Sequence, residues 1–384
     1  MRANRDPRKS PVRRRWPRPQ QGFAGCHPGG VLISRRRFSA AAAGAMGLPA
    51  ALASLEQAPG RPCAMGIVSY ALGIRISMSA AGGAAPLTDP IAFLEECRRL
   101  GAGGMQMALG QRDPEYCARL RAMAERHGLH VEGNMDLTSP ATGADAIEAQ
   151  VRTAAACGAA IVRVVVIPGR RYEQFRSVGQ FARAAAHALA VLRLAEPLAR
   201  KHGVRLAVEN HKDQRVPERL ELLRKIDSEH VGVCLDVGNS FALCEDPMQV
   251  VAAYAPWTLT VHLKDQAVRP HDDGFLYADA ALGAGFLDLR GMMSLIRKAR
   301  PEARFNLETI TRDALMVPVL TPEYWASMGD VPAAELVRTL RTVRQHSAAE
   351  EFAKISALPP AQRLERETRN VLDSIRCARE HLGL

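Results

Sequence analysis

Several features that would assign a function directly are absent from this sequence of 384 residues. Its eight cysteines form no CxxC pair and no other zinc-ligand spacing, so we expect them to be small buried apolar residues. No apolar run is long enough to cross a membrane, which predicts a protein without a stable membrane anchor. No Gly-rich phosphate loop follows the first β-branched run, and this absence argues against an open dinucleotide-binding sheet.

The formal net charge of +11 comes from one end of the chain. Residues 1–53 hold eleven Arg or Lys and a single acidic residue, Asp6, whereas the remaining residues hold 40 basic and 39 acidic side chains. A nearly neutral body lacks the basic surface that nucleic-acid-binding domains use. We therefore expect no nucleic-acid partner.

The basic segment contains the elements of an export signal. Ser34-Arg35-Arg36-Arg37-Phe38 is similar to the twin-arginine motif, an Ala-rich apolar stretch covers residues 40–50, and Ala51-Leu52-Ala53 has the pattern of a cleavage site. We predict a disordered basic segment and signal peptide at 1–53, and a periplasmic or secreted mature protein. The alternative is a cytoplasmic protein with a disordered basic arm.

Short β-branched runs alternate with helical segments from residue 65 onward, which is typical of βαβ units and a parallel sheet. The predicted strands are 66–70, 104–109, 129–134, 161–167, 205–210, 232–237, 259–264 and 304–310. Eight strands with intervening helices predict a closed (β/α)₈ barrel, a TIM barrel, over 62–328. Helical patterns at 329–384, interrupted by Pro359-Pro360, predict a C-terminal helical extension that packs around the barrel or mediates self-association into a homo-oligomer.

Four residues that can bind a metal lie at the ends of the last four predicted strands. In chain order they are Glu209, Asp236, His262 and Glu308, and each follows an apolar run. The carboxyl ends of barrel strands converge on one mouth, so these side chains should meet. Because an ionised group that is buried without a partner is costly, a shared divalent cation would compensate all four. Three carboxylates and one imidazole suit Mn²⁺, Mg²⁺ or Co²⁺, with Zn²⁺ as a further option.

This ligand set predicts enolate chemistry. A cation with an open coordination position can bind two adjacent substrate oxygens and stabilise an enediolate. Glu209 and Glu308 lie on different strands, so one could remove a proton next to a carbonyl and the other could return it. We expect these two glutamates to be catalytic residues as well as ligands.

Five short motifs follow one another in a characteristic order. They are Val208-Glu209-Asn210, Leu235-Asp236-Val237-Gly238-Asn239, Val261-His262-Leu263-Lys264-Asp265, Gly283-Ala284-Gly285-Phe286-Leu287-Asp288 and Leu307-Glu308. In order and spacing they resemble the sugar isomerase/epimerase superfamily with the xylose-isomerase-like barrel, over roughly residues 65–325. The resemblance implies the same barrel, the same four metal ligands and the same acid/base role for the two glutamates.

One position departs from the pattern of that family. Many of its epimerases have a substrate-contacting His three residues after the Asp of the sixth strand, and this chain has Asn239 there. Asn can hydrogen-bond a hydroxyl, but it cannot carry a proton near neutral pH. The departure leaves the predicted metal site in place and leaves the substrate and the reaction open.

Other residues near the predicted mouth are expected to contact the substrate. The predicted substrate-binding residues are His211, Asn239, Lys264 and Arg312, with Lys212 and Asp213 beside His211 in the same loop. Lys264 lies two residues after His262 and therefore on the same face of the strand. Glu132, near the end of the third predicted strand, is a weaker pocket candidate, and a buried salt bridge is an equal alternative for it. The stretch 265–288 is predicted to be a long loop that serves as a lid or specificity element.

These observations predict a metal-dependent isomerase or epimerase that acts on a free sugar or keto-sugar. A lyase, either a dehydratase or a decarboxylase, could use the same site on an oxidised sugar or sugar acid, because both reactions begin by stabilising an enolate. An apurinic-site endonuclease would need a multi-zinc cluster with additional His ligands. A non-catalytic sugar-binding protein would not need two glutamates around a metal.

Overall fold

The computed structural model describes residues 63–79 and 86–384. The predicted basic segment and signal peptide at 1–53 lie outside these residues. None of the described helices is both long and apolar enough to span a membrane. The seven cysteines in this part of the chain are unpaired, and six of them are buried.

Eleven strands form within the described residues. They are β1 (Gly66–Val68), β2 (Gly104–Met107), β3 (His130–Asp136), β4 (Ile161–Val165), β5 (Arg205–Glu209), β6 (Val231–Asp236), β7 (Thr258–Leu263), β8 (Asp265–His271), β9 (Gly274–Ala280), β10 (Arg304–Leu307) and β11 (Leu315–Val317). Eight of them close into a parallel barrel in the order β1-β10-β7-β6-β5-β4-β3-β2. Their residues are almost all buried, which explains the near-continuous apolar runs of strands such as β4, β5 and β6. The eight predicted barrel strands are therefore confirmed, with bounds that differ by a few residues.

The other three strands form an antiparallel sheet in the order β11-β9-β8. The prediction of a loop at 265–288 was therefore wrong for most of this stretch, because β8 and β9 form a hairpin around Asp272-Asp273. Gly274, at φ +150°, passes so close to β11 that a Cβ there would lie 2.3 Å from the carbonyl oxygen of Val317. Tyr277 fixes the hairpin at the barrel mouth by donating to the Gly238 carbonyl at 2.6 Å.

The α-helices lie between the strands and after them. They are α1 (Gly73–Ser79), α2 (Pro90–Arg99), α3 (Pro114–His127), α4 (Ala144–Ala156), α5 (Arg171–Gln174), α6 (Val178–Lys201), α7 (Val216–Ile226), α8 (Pro247–Tyr254), α9 (Leu289–Ala299), α10 (Pro322–Trp325), α11 (Ala333–Gln345) and α12 (Pro360–His381). Aspartates begin several of them: Asp89 and Asp113 accept backbone N–H bonds of the first turn and are each followed by a proline. At the other end of α3, Gly128 takes the left-handed conformation that ends a helix.

The long helix α12 packs against the segment that follows β1. Its Val371, Ile375 and Ala378 are fully buried in the main hydrophobic core. Glu367 of the same helix accepts the backbone N–H bonds of Ile74 at 2.7 Å and Arg75 at 2.9 Å. These contacts join residues almost 300 positions apart and cap the start of α1.

Candidate metal centre

Side chains from four strand ends converge at the carboxyl-terminal mouth of the barrel. Glu209 ends β5, Asp236 ends β6, His262 lies opposite Asp236 in β7, and Glu308 directly follows β10. One ligand atom from each of the four residues lies within 4.8 Å of the other three, and all four residues are buried. The structure therefore brings together the four residues that the sequence analysis selected as metal ligands.

The imidazole of His262 is oriented as a metal ligand would be. Its Nε2 lies 2.7 Å from Oε1 of Gln106. Its Nδ1 is buried without a hydrogen-bond partner in the described part of the chain, and it faces Glu308 Oε2 at 3.3 Å and Glu209 Oε1 at 3.8 Å. A ring nitrogen that lacks a hydrogen-bond partner and faces two carboxylates is placed as a ligand of a divalent cation would be, with the cation held between the nitrogen and the carboxylate oxygens.

Glu209 is held in its ionised form by β4. The guanidinium of Arg163 donates to Glu209 Oε2 through Nε at 2.6 Å. Burial raises the pKa of Glu209, but Arg163 together with His262 and His211 outweighs burial and lowers that pKa to about 2. Asn239 donates to the other oxygen, Oε1, at 3.1 Å. Both carboxylate oxygens are therefore fixed in direction, and the group carries its charge at neutral pH.

Lys264 lies between the other two carboxylates. Its Nζ is 2.7 Å from Asp236 Oδ2 and 2.6 Å from Glu308 Oε2. Burial raises the pKa of Asp236 to about 6, although Lys264 opposes this. Burial also raises the pKa of Glu308, but His262 and Lys264 outweigh it and hold that pKa well below its usual value. Lys264 thus supplies part of the positive charge that these buried carboxylates require.

A cavity of about 430 Å³ opens at this mouth. Its wall includes Glu209 and Glu308, whereas Asp236 and His262 are fully buried and do not contribute to it. All four predicted substrate-binding residues line the cavity: His211, Asn239, Lys264 and Arg312. The structure therefore places these residues where a substrate could contact them, and their role in binding stays a prediction.

Two of the cavity residues are positioned by contacts with neighbouring segments. His211 Nδ1 lies 3.1 Å from the Gly169 carbonyl oxygen. Arg312 lies 3.5 Å from Asp279 Oδ2, so β9 positions its guanidinium. Asp213 was expected beside His211 at the mouth. Its carboxylate instead accepts a hydrogen bond from Arg219 at 2.8 Å, and it is absent from the cavity wall.

Two further cations, Arg163 and Lys212, line the cavity. Arg163 was missed, although a charged residue inside the apolar strand β4 is itself a signal. Lys212 is 3% exposed, and its Nζ donates to Asn239 Oδ1. Burial and the nearby Lys264 lower the pKa of Lys212 to about 8. No carboxylate of the described residues forms an ion pair with Lys212, unlike Arg163 and Lys264.

The weaker prediction for Glu132 was wrong. Glu132 is the third residue of β3, points into the closed barrel and is absent from the cavity wall. The predicted strand ended two residues earlier than β3 does, which placed Glu132 too close to the mouth.

Comparisons with known proteins agree with this architecture. A family model described as xylose isomerase-like TIM barrel matches residues 94–340. The 3-oxo-isoapionate decarboxylase of Pectobacterium atrosepticum is 33% identical over 112 residues, which cover 29% of this chain and 41% of that enzyme. The chain thus matches less than half the length of this curated relative.

Two solved structures are similar to this chain at low sequence identity. A xylose isomerase-like TIM barrel protein from Mycobacterium smegmatis, in complex with magnesium, is 16% identical with a TM-score of 0.50, covering 74% of this chain and 97% of that one. An L-ribulose 3-epimerase is 17% identical with a TM-score of 0.48, covering 75% and 99%. At these identities the likeness concerns the fold alone.

Proposed function

Because the chain belongs to the xylose isomerase-like TIM barrel family, we propose that it is a divalent-metal-dependent enzyme that forms an enolate from a small sugar-derived substrate. The observation that carries this proposal is the convergence of Glu209, Asp236, His262 and Glu308 within 4.8 Å at the barrel mouth. These four residues would hold the cation, and their oxygen-rich set suits Mn²⁺, Mg²⁺ or Co²⁺, with Zn²⁺ as an option. A bound cation would act as a Lewis acid toward the keto and hydroxyl oxygens of the substrate.

Within this class we favour a lyase that decarboxylates a 3-oxo sugar acid. Lys212 is the reason: it is a buried cation at the cavity wall, and its hydrogen bond goes to the neutral Asn239. A buried charge without a counter-ion is costly, and a substrate carboxylate would compensate it. Arg312, on the same wall, could contact the same carboxylate. The activity of the decarboxylase relative supports this choice.

The residues also suggest how the proton moves. When CO₂ leaves, the electrons of the broken C–C bond pass to the neighbouring carbonyl and form an enolate. The carbon that lost CO₂ must then receive a proton. The Lys212 ammonium, next to the departing carboxylate, would donate this proton from Nζ, and its pKa of about 8 makes it a stronger acid than an ordinary lysine.

Isomerisation or epimerisation of a keto-sugar is the second candidate. Glu209 and Glu308 both line the cavity, and their low pKa values keep both ionised at neutral pH. One carboxylate could remove a proton from the carbon next to a carbonyl, and the other, after taking up a proton from solvent, could donate that proton to the opposite face of the same carbon.

The test begins with metal analysis of the purified protein, followed by chelation and reloading with Mn²⁺. The reloaded protein is then incubated in deuterated water with 3-oxo sugar acids and, separately, with free keto-sugars. Decarboxylation releases one CO₂ and places one solvent deuterium at the carbon that lost it. Epimerisation places deuterium at the inverted carbon and releases no CO₂. A protein that exchanges no deuterium with either class, with or without metal, would refute both reactions.

Two variants separate the roles of the residues. Glu308→Gln should abolish turnover of every substrate. Lys212→Met should lower kcat/KM for acidic substrates at least about 100-fold, because it removes a charge-assisted hydrogen bond and the proton donor. Lys225→Met, which removes an exposed lysine on α7, is the matched control and should leave turnover unchanged. Equal activity of Lys212→Met and Lys225→Met would remove the support for a lyase.

Export is proposed on the sequence pattern alone. Fractionation of cells that express the full chain and an Arg35→Lys, Arg36→Lys variant tests it. We expect the parent protein in the periplasm or medium and the variant in the cytoplasm.

A further inference from the structure

A group of polar side chains lies inside the barrel, below the four proposed ligands. Barrel interiors of this kind are normally filled by Val, Ile and Leu. Here Gln106, Glu132, Thr260 and Asn306 come from four different strands, and none of the four is exposed. The catalytic scheme above uses none of them, so their presence needs another explanation.

Three donors meet on one oxygen of Glu132. Its Oε2 accepts from Gln106 Nε2 at 2.9 Å, from Thr260 Oγ1 at 2.8 Å and from Asn306 Nδ2 at 3.0 Å. An oxygen that receives three hydrogen bonds is an acceptor, whether or not the carboxyl group is ionised. Gln106 must therefore direct its NH₂ group toward Glu132 and its carbonyl oxygen away from it.

The direction of the Gln106 amide decides which ring nitrogen of His262 carries a proton. The carbonyl oxygen, Oε1, lies 2.7 Å from His262 Nε2, so Nε2 must carry a proton. A neutral imidazole has one N–H, which leaves the lone pair on Nδ1. This is the nitrogen that faces Glu209 and Glu308.

Asn306 is consistent with the same arrangement. Its NH₂ group faces Glu132, so its Oδ1 points the other way, toward His130 Nε2 at 2.9 Å. Each amide in the group thus has its donor end on Glu132 and its acceptor end on a histidine. One carboxylate fixes both amides.

We propose that Glu132 is a positioning residue that acts through Gln106 to keep the Nδ1 lone pair of His262 directed at the metal. This inference rests on the proposed metal site, but the tautomer of His262 can be measured in the metal-free protein. Replacing the outer partners of a metal-binding histidine typically lowers metal affinity about 10- to 100-fold. Loss of Glu132 should have an effect of this size without touching a ligand.

The first experiment measures the affinity for Mn²⁺ of protein from which a chelator has removed all metal. Calorimetry or the electron paramagnetic resonance signal of free Mn²⁺ gives the affinity. Glu132→Met should bind Mn²⁺ about 10- to 100-fold more weakly than the parent protein. Glu132→Gln retains an acceptor oxygen and should recover most of the affinity. Thr260→Val is the matched control, because it removes one donor to Glu132 and leaves the Gln106 contact intact.

A double-mutant cycle tests whether Glu132 acts through Gln106. Gln106→Met alone should weaken Mn²⁺ binding to a similar degree. Adding Glu132→Met to Gln106→Met should then cost no further affinity. Independent, additive losses would show that Glu132 affects the metal by another route and would overturn the proposal. If Glu132→Met does not fold, Glu132→Leu, which also removes both acceptor oxygens, carries the same comparison in the parent and in the Gln106→Met background.

The second experiment needs no metal. Nitrogen-15 spectra of the histidine-labelled, metal-free protein, assigned with a His262→Gln variant, report which ring nitrogen carries the proton. Burial lowers the pKa of His262, but Cys234 and Glu308 outweigh it and raise that pKa in the metal-free protein, so the spectra are recorded at a pH that leaves the ring neutral. We expect the neutral ring to carry its proton on Nε2 in the parent and to be a mixture of both tautomers in Glu132→Met. A neutral ring with its only proton on Nδ1 in the parent would refute the positioning role. The expected tautomer together with no Mn²⁺ binding would refute the proposed metal site instead.

Discussion

Lys264 gives the sharpest test of the charge balance at the barrel mouth. Its ammonium lies 2.7 Å from Asp236 Oδ2 and 2.6 Å from Glu308 Oε2, with a side chain only 2% exposed. In the metal-free protein this group is the cation between two buried carboxylates. Lys264→Met removes the charge and keeps an unbranched side chain of similar size.

The expected loss of stability is large. Removing one partner of a buried ion pair typically costs about 3–5 kcal/mol, since the other charge stays buried. Asp236 can relieve part of this cost by binding a proton. Its pKa of about 6 already lies above the unfolded value, and removing Lys264 raises it further. A raised acid pKa means that stability falls as the pH rises through it, so the loss in Lys264→Met should be larger at pH 8 than at pH 5.

A divalent cation should reverse most of this loss. A metal present at 100 times its Kd stabilises a folded protein by about 2.7 kcal/mol. In the variant the metal no longer competes with an ammonium for the same two oxygens. The stabilisation by Mn²⁺ should therefore be greater in Lys264→Met than in the parent protein.

The assay is urea unfolding with chelator and with saturating Mn²⁺, at pH 5 and pH 8. Lys201→Met is the control: this lysine pairs with Glu148 at 2.6 Å but is 64% exposed, and such surface pairs contribute about 0–1 kcal/mol. If Lys264→Met were no less stable than Lys201→Met in chelator, or gained no more from Mn²⁺ than the parent, the reasoning would be refuted.

Three further predictions concern the scaffold. Burial raises the pKa of Glu245 to about 7, above its unfolded value, so the parent protein loses stability as the pH rises from about 4.5. Glu245→Gln should remove up to about 3 kcal/mol of this loss by pH 9. An unchanged dependence of thermal unfolding on pH would contradict this prediction. Ile375→Ala deletes a fully buried side chain of α12 and should cost about 2–5 kcal/mol in urea unfolding, whereas a cost below about 1 kcal/mol would mean that α12 contributes little to the core. Gly285→Ala would place a Cβ 2.1 Å from Asp265 Oδ1, so faster hydrogen exchange at residues 281–288 is expected, and parent-like exchange would refute the clash.

The barrel strands and the ligand group could be predicted because each depends on a local pattern. A buried parallel strand needs a short apolar run, and the closed order of the barrel brings strand ends together at one mouth. Glu209 and Asp236 each end such a run, so their position followed from the strand prediction. His262 and Glu308 followed from the same argument.

The hairpin β8–β9 was missed because its apolar residues do not form a simple strand pattern. β8 begins with two buried polar residues, Asp265 and Gln266, and Pro270 lies inside it. The turn Asp272-Asp273 followed by Gly274 was the available signal. Without long-range information, this stretch reads as a loop between a strand and a helix.

The pairing of Arg163 with Glu209 could not be read from the sequence for a different reason. The two residues are 46 positions apart and meet only because β4 and β5 are neighbours. Gln106 of β2 and His262 of β7 lie 156 positions apart on strands that are not neighbours, and they meet across the barrel interior. Such partners depend on strand pairing and barrel closure, which local composition does not encode.

The link between Glu367 and the start of α1 has a consequence for biosynthesis. A ribosome releases α1 long before it makes α12, so the amides of Ile74 and Arg75 lack this acceptor until α12 has been synthesised. Until then the core surface later covered by Val371 and Ile375 stays open to chaperones and to premature association. This part of the core is therefore completed only after α12 has emerged, and an export route that accepts only folded cargo would have to await it.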